Sequence, residues 1–286
     1  MVSTLFMLVK LAGKTGISLP EIMFWRQAIP LPLILGWMAA RGRLDHLATR
    51  RLPSHAGRAV SGTIGMVCNF GASMLLPLAV ATVFNFTTPL FAVVLGAVLL
   101  QEQVGRWRWL AVLLGFLGVL LIAQPGSAGA AAIPLLGAAA GLGSGFMVAL
   151  ISIQIRDLGK TEQSMATVFW FSLFGTLFTA PILPFVMGHH TSAQWLMLGG
   201  IGVVGALGQI LMTSALRYGA VASVIVMDYS ALIWTTIYSR QIFHQSPPAH
   251  TWLGAPLIVA AGLVIAWREH RLHKLAHRTQ SEAGAA

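Results

Sequence analysis

Charge is what this chain has least of. Of its 286 residues only 9% are Asp, Glu, Lys or Arg, and only 8 are acidic. A soluble protein carries about a quarter charged residues, so a water-soluble globule is excluded. Catalytic spacings are missing as well. There is no HExxH, no Ser/Lys pair and no paired-Asp motif, which leaves a membrane-embedded enzyme without its usual parts. No GxxxxGK[ST] loop is present, so a nucleotide-driven pump is excluded and any drive must be a gradient. Cysteine occurs once, as Cys68, and one thiol cannot form an intrachain disulfide. No cleavage site follows the N-terminal apolar stretch, so a signal peptide is not expected.

What the chain has is apolar length. Hydrophobic residues make up 56% and the mean hydropathy is +0.77. Ile22–Ala40, Ala81–Leu100, Trp109–Ala123, Ile133–Ile155 and Leu253–Trp267 are runs of the size that crosses about 30 Å of hydrocarbon. They do not alternate, which excludes a β-barrel. The class is an all-α polytopic membrane protein.

The runs come in two sets of five with matching landmarks. Phe24-Trp25 recurs as Phe169-Trp170, Ala79-x-Ala81-Thr82 as Ala220-x-Ala222-Ser223, and Trp109-Leu110-Ala111 as Trp252-Leu253-Gly254. The offset stays at about 141 to 145 residues, which marks an internal repeat. An odd number of crossings per repeat forces the second copy to start from the opposite side. The expectation is ten transmembrane helices as two inverted five-helix repeats, residues 1–126 and 133–268, with a basic tail at 269–286. Spans two to ten are placed near 20–40, 59–78, 81–100, 108–123, 134–155, 165–187, 194–214, 221–242 and 251–267. The first helix looks truncated: Met1–Ala12 rises about 18 Å before the turn expected at Gly13-Lys14-Thr15-Gly16. An N-terminal segment beyond Met1 is the favoured explanation.

The basic residues set the topology. Alternate loops and the C-terminal tail hold 14 of the 18 Lys and Arg, with Arg41, Arg43, Arg50, Arg51 and Arg58 assigned to the loop after span two. The positive-inside rule then puts both termini in the cytoplasm of a multi-pass inner (plasma) membrane protein. Nucleic acid is a poor partner, because these arginines are split over short segments with no recognition motif. The tail, with Arg268, Arg271, Lys274 and Arg278, suits anionic lipid headgroups. Its histidines 270, 273 and 277 lack a carboxylate or thiol to complete a metal site. Glycine seams, Gly137/Gly141/Gly145 above all, serve close helix packing inside the chain or a homodimer.

An ionisable group inside a span is a functional candidate by default. Asp228 is the sharpest, about 6 Å to the cytoplasmic side of the midplane. It shares a helical face with Ala231, Thr235 and Ser239. It reads either as a cavity acid for a cationic group or coupling proton, or as a structural, hydrogen-bonded acid. A repeat offset of 143 sets Asn85 and Thr88 opposite this stripe, whereas 141 sets Thr87 there. Lys10 and Arg26 lie outward of the midplane, too far in depth for an easy direct bridge to Asp228. Asn69, Ser73, Ser144, Ser152, Gln209 and Thr213 are polar enough to line a cavity or to bind helices together. The candidate substrate-binding set is Asp228, Tyr229, Thr235, Asn85, Thr88, Asn69, Gln209, Lys10 and Arg26. No catalytic residue, metal or cofactor is expected.

Several motifs together resemble the EamA-type members of the drug/metabolite transporter superfamily. They are Pro20-Glu21-Ile-Met-Phe-Trp-Arg26, Pro77-Leu-Ala-Val-Ala-Thr-Val83, Thr88-Pro89-Leu90-Phe91 and Glu102-Gln-Val-Gly-Arg-Trp-Arg-Trp-Leu110. To these add Gly205-x-x-Gly208-Gln209, Asp228-Tyr229-Ser230 and Trp252-Leu253-Gly254-Ala255 with Gly262. The resemblance covers residues 1–268. It implies a cavity walled by spans one, three, four, six, eight and nine, and secondary transport of a small metabolite without ATP. Its narrower implications are uptake of S-adenosylmethionine or riboflavin, or metabolite export. Span one departs by its shortness, and Gln245 stands where an acid is expected after span nine.

Overall fold

The computed structural model describes residues 1–99, 101, 104–124, 133–218 and 228–283, with side chains to 268 and at 271. Glu102, the Ala220-x-Ala222-Ser223 landmark and the side chains of the tail histidines lie outside the described residues. Every regular element among the described residues is helical, as hydrocarbon demands of a backbone that must satisfy its own hydrogen bonds.

The first helix, α1 (Val2–Lys14), runs two residues further than the expected turn. Thr15 Oγ1 then donates to the Ala12 carbonyl over 2.8 Å, and Gly16 reverses the chain at φ +91°. Helices α2 (Leu19–Ala28) and α3 (Pro30–Ala40) form one 22-residue span bent at Pro30, which has no N–H for the preceding turn. Next come α4 (Leu52–Leu75), α5 (Leu78–Asn85), α6 (Thr88–Leu99) and α7 (Arg106–Ala123). The second half holds α8 (Leu135–Leu158), α9 (Ser164–Thr179), α10 (Leu183–Val186), α11 (Ser192–Tyr218), α12 (Ser230–Gln241) and α13 (Thr251–Ala283).

Seven helical stretches among the described residues are long and apolar enough to cross a membrane. The other three units are α1, which is short, span nine, of which α12 is the described part, and α4. Helix α4 has 24 residues but carries His55, Arg58, Asn69 and three serines. Its polarity is tolerated because His55, Arg58 and Ser73 lie on the buried side, packed among α1, α2, α5, α8 and α9, while Val60, Ile64 and Val67 form an exposed apolar stripe. It also begins at Leu52, with Pro53 in its first turn, seven residues before the position expected from hydropathy. That difference carries Arg58 out of the loop and into the bundle.

Glycines set the closest helix approaches. Helix α7 lies along α13, and a Cβ on Gly118 would stand 2.7 Å from the Gly254 carbonyl oxygen. The α8 seam is filled from within the chain: Gly137 faces Leu76 and Gly141 faces Phe84. Phe84 is fully buried at the centre of this contact. Phe84→Ala is expected to cost about 3 kcal/mol, since the glycine groove opposite has no side chain to refill the space. A fall in the thermal midpoint of the detergent-solubilised protein checks it.

Candidate functional site

A cavity of about 130 Å³ opens inside the bundle, walled by α1, α2, α4, α8, α9 and α11. One face of α4 supplies most of one wall. Arg58, Gly62, Gly65, Met66 and Asn69 follow one another at steps of four, three, one and three, which is a single helical stripe. Opposite it stand Val204, Gly205, Gly208, Gln209 and Met212 of α11. Val2, Leu5 and Phe6 of α1, Val148 and Ile151 of α8, and Phe171 of α9 complete an otherwise apolar lining.

Arg26 enters this space from α2 and is 8% exposed. Its Nη1 donates to Gln27 Oε1 over 2.9 Å and points at Met66 Sδ at 3.1 Å. Its Nη2 donates to Gln209 Oε1 over 3.2 Å. The guanidinium also faces the rings of Phe70 and Phe171, at 6.0 and 5.8 Å. Gly205 gives it room, because a Cβ there would lie 3.1 Å from Arg26 Cγ. Arg58 approaches the same Phe171 ring, at 4.2 Å, and is 2% exposed. Among the described residues its Nε and Nη1 have no hydrogen-bond partner.

Three of the sequence candidates therefore meet in this cavity: Arg26, Asn69 and Gln209. Lys10 does not join them. It is buried and its Nζ donates to the Leu76 carbonyl, where α4 ends before Pro77, and it lies over the Phe243 ring at 5.4 Å. A cation at a helix C-terminus satisfies an orphan carbonyl and complements the dipole, so Lys10 works as a cap. Asp228 is exposed, outside this cavity's wall, and forms no ion pair among the described residues. Thr235 and Ser239 of its expected stripe are buried; Thr235 Oγ1 donates to the Ala231 carbonyl over 2.9 Å, and Ser239 Oγ to that of Gln245 over 2.8 Å.

Asn85, Thr88 and Tyr229 belong to a second feature. Span four is broken at Phe86 and Thr87, between α5 and α6, and the chain turns again at Tyr229 before α12. The rings of Phe86 and Tyr229 meet edge to face at 4.8 Å, 143 residues apart in the chain. Ser144 donates to Asn85 Oδ1 over 3.1 Å, and Thr88 Oγ1 to the Asn85 carbonyl over 2.7 Å. Spans four and nine contribute no described residue to the cavity lining, while spans two and seven supply cavity walls that the resemblance did not name.

Elsewhere, Glu21 pairs with His190, both buried, beside Trp195. No group of three or more metal-ligating side chains occurs among the described residues.

The sequence resembles known proteins over the same extent. The EamA-like transporter family model matches it twice, over residues 1–124 and 135–267. The chain belongs to the EamA-like transporter family. As a member of it, this is a multi-pass membrane transporter of small molecules. The pseudopaline exporter CntI of Pseudomonas aeruginosa is 31% identical over 90% of this chain and 89% of its own. A riboflavin transporter of Vibrio cholerae is 27% identical over 85% and 81%. Human solute carrier family 35 member G1 is 27% identical over 74% and 61%. A solved crystal structure superposes with a TM-score of 0.64 over 94% of this chain and 95% of its own, at 21% identity, which speaks to the fold alone.

Proposed function

We propose that this chain is a secondary-active carrier of a small metabolite in the bacterial inner membrane, working by alternating access between two inverted five-helix halves. One observation carries the reading: Arg26 of the first family match donates to Gln209 of the second, across a cavity walled by both. A site shared by two halves is emptied to either side when one half rocks against the other. The turns at Phe86 and Tyr229, 143 residues apart and in ring contact, support a repeat at that offset. The broken helix of span four is of a kind that inverted-repeat carriers use.

The cytoplasmic end supplies the second requirement, a closure that opens. Arg51 pairs with Asp157 and donates to Thr161, Thr49 Oγ1 donates to Glu162 Oε1 over 2.6 Å, and Trp170 Nε1 donates to the Leu47 carbonyl over 2.8 Å. These contacts tie the first half to the second. The one ion pair among them, Arg51–Asp157, is exposed and worth about 0–1 kcal/mol, and the rest are hydrogen bonds with net worths of about 0.5–3 kcal/mol each.

We assign proton coupling to Asp228, the acid next to the turn at Tyr229. Asp228→Asn is expected to lower the transport rate about tenfold and to flatten its dependence on a pH gradient. The test is uptake and efflux of a labelled metabolite panel in proteoliposomes, at several pH values, with and without a proton gradient. A rate that keeps its gradient dependence in Asp228→Asn removes Asp228 from coupling. The narrower expectations of S-adenosylmethionine or riboflavin uptake rest on likeness to relatives, and the same panel tests them.

A further inference from the structure

Two arginines share the inner cavity, and no described residue neutralises them. Arg26 and Arg58 are both more than nine-tenths buried and stack on the same Phe171 ring. Every described acid lies elsewhere. Glu21 is held by His190, Asp45 lies beside His46, Asp157 pairs with Arg51 and Lys160, Glu162 is bound by Thr49 and faces His55, and Asp228 is exposed. None lies within 4.0 Å of either guanidinium among the described residues. Among these residues Arg26 keeps neutral partners and leaves Nε unpartnered; Arg58 leaves Nε and Nη1 unpartnered.

Burying an unpaired charge is costly, and burying two of one sign side by side costs more. The fold is built to keep them there all the same. A Cβ at Gly62 would collide with the Arg58 guanidinium and with Phe171, so this glycine is the slot in which Arg58 lies. Arg is the side chain suited to this task, because it stays charged and presents a planar fork that matches a carboxylate or phosphate. One oxyanion placed between the two forks would satisfy the orphan donors and cancel the repulsion together.

We propose that Arg26 and Arg58 form an oxyanion receptor, so that the transported solute carries a carboxylate or phosphate group. This rests on the carrier reading for its physiological meaning, while binding itself does not require transport. The remaining walls, chiefly Phe6, Phe70, Phe171 and Met66 with the Asn69 amide, suit a small, mostly apolar body behind that group. The size agrees: about 130 Å³ is the share of only about four waters. The soluble solute is the committed source of the oxyanion, against a lipid headgroup.

The test is thermal unfolding of the purified full-length protein in neutral detergent, titrated with sodium acetate, sodium benzoate or sodium phosphate against sodium chloride at matched ionic strength. A separate arm adds phosphatidylglycerol. Wild type is expected to show a saturable rise of about 4 °C at ten times the midpoint concentration of a soluble oxyanion. Arg58→Met is expected to lose that rise and to be no less stable than wild type in chloride, because an apolar isostere removes an unpaired buried charge. A merely structural arginine would instead make the variant less stable. Should Arg58→Met not fold, the wild-type curves decide, with Arg58→Lys expected to keep a weakened rise. The proposal is overturned by no oxyanion-specific rise in wild type, by an equal rise in Arg58→Met, or by a rise with phosphatidylglycerol alone. A protein that moves solute in liposomes but shows no such rise loses the receptor and keeps the carrier. A saturable rise without transport keeps the receptor and loses the carrier.

Discussion

Arg26→Met is expected to lower the initial rate of transport in proteoliposomes by about 100-fold, measured on whichever labelled metabolite the wild type moves. The figure follows from what the residue does. Hydrogen bonds made by a charged group to neutral partners are worth about 1.5–3 kcal/mol, and each 1.4 kcal/mol is tenfold. Arg26 reaches Gln27, Met66 and Gln209 from one guanidinium, so it fixes the position of groups from α2, α4 and α11 at once. Methionine keeps the length and the contacts with Phe70 and Phe171 and removes the fork. Arg26→Lys restores charge without the planar fork and should recover only part of the rate. A rate within threefold of wild type in Arg26→Met would remove this residue from the transport path.

The second large effect is structural. Gly254→Val should lower the thermal midpoint by about 8 °C, the equivalent of about 3 kcal/mol in a chain of this size. A Cβ at Gly254 would collide with the Gly118 carbonyl oxygen and come within contact of Ile122, and the obstacle is backbone, which cannot rotate away. Helices α7 and α13 would be pushed apart along their whole contact. Without a strong hydrophobic drive in lipid, close packing is most of what holds two helices together. Gly199→Ala is the matched control: a Cβ there meets nothing within 4 Å, and the midpoint should stay put. Equal midpoints for Gly254→Val and Gly199→Ala would mean that the α7–α13 seam carries little.

Hydrocarbon made the fold readable. A backbone in lipid has few options, so uninterrupted apolar runs mark the helices, and landmarks about 141 to 145 residues apart point to the two stretches that the family model matches. Arg26 was legible for the same reason, as a lone cation in an apolar run. Arg58 was not. It sits in Leu52-Pro-Ser-His-Ala-Gly-Arg58, polar enough to pass for loop, and it was counted among the cytoplasmic arginines. The signal that could have found it was the stripe Arg58, Gly62, Gly65, Met66, Asn69, which is helical in period and ends on a polar candidate. Lys10 was legible as an intramembrane charge, though its task as the cap of α4 depends on a chain reversal 66 residues away that no local pattern announces. Asp228 stood out by composition, and its exposure depends on how α12 packs, which periodicity alone does not fix.

The central claim is that solute crosses through the cavity shared by the two halves. Counterflow exchange in proteoliposomes tests it most directly, with unlabelled solute inside, a labelled panel of carboxylates, phosphates, cations and neutral solutes outside, and wild type beside Arg26→Met. The expected result is saturable exchange of at least one oxyanion-bearing solute by wild type and its loss in the variant. Exchange of none of the panel by folded wild-type protein, or equal exchange by both proteins, would contradict the account.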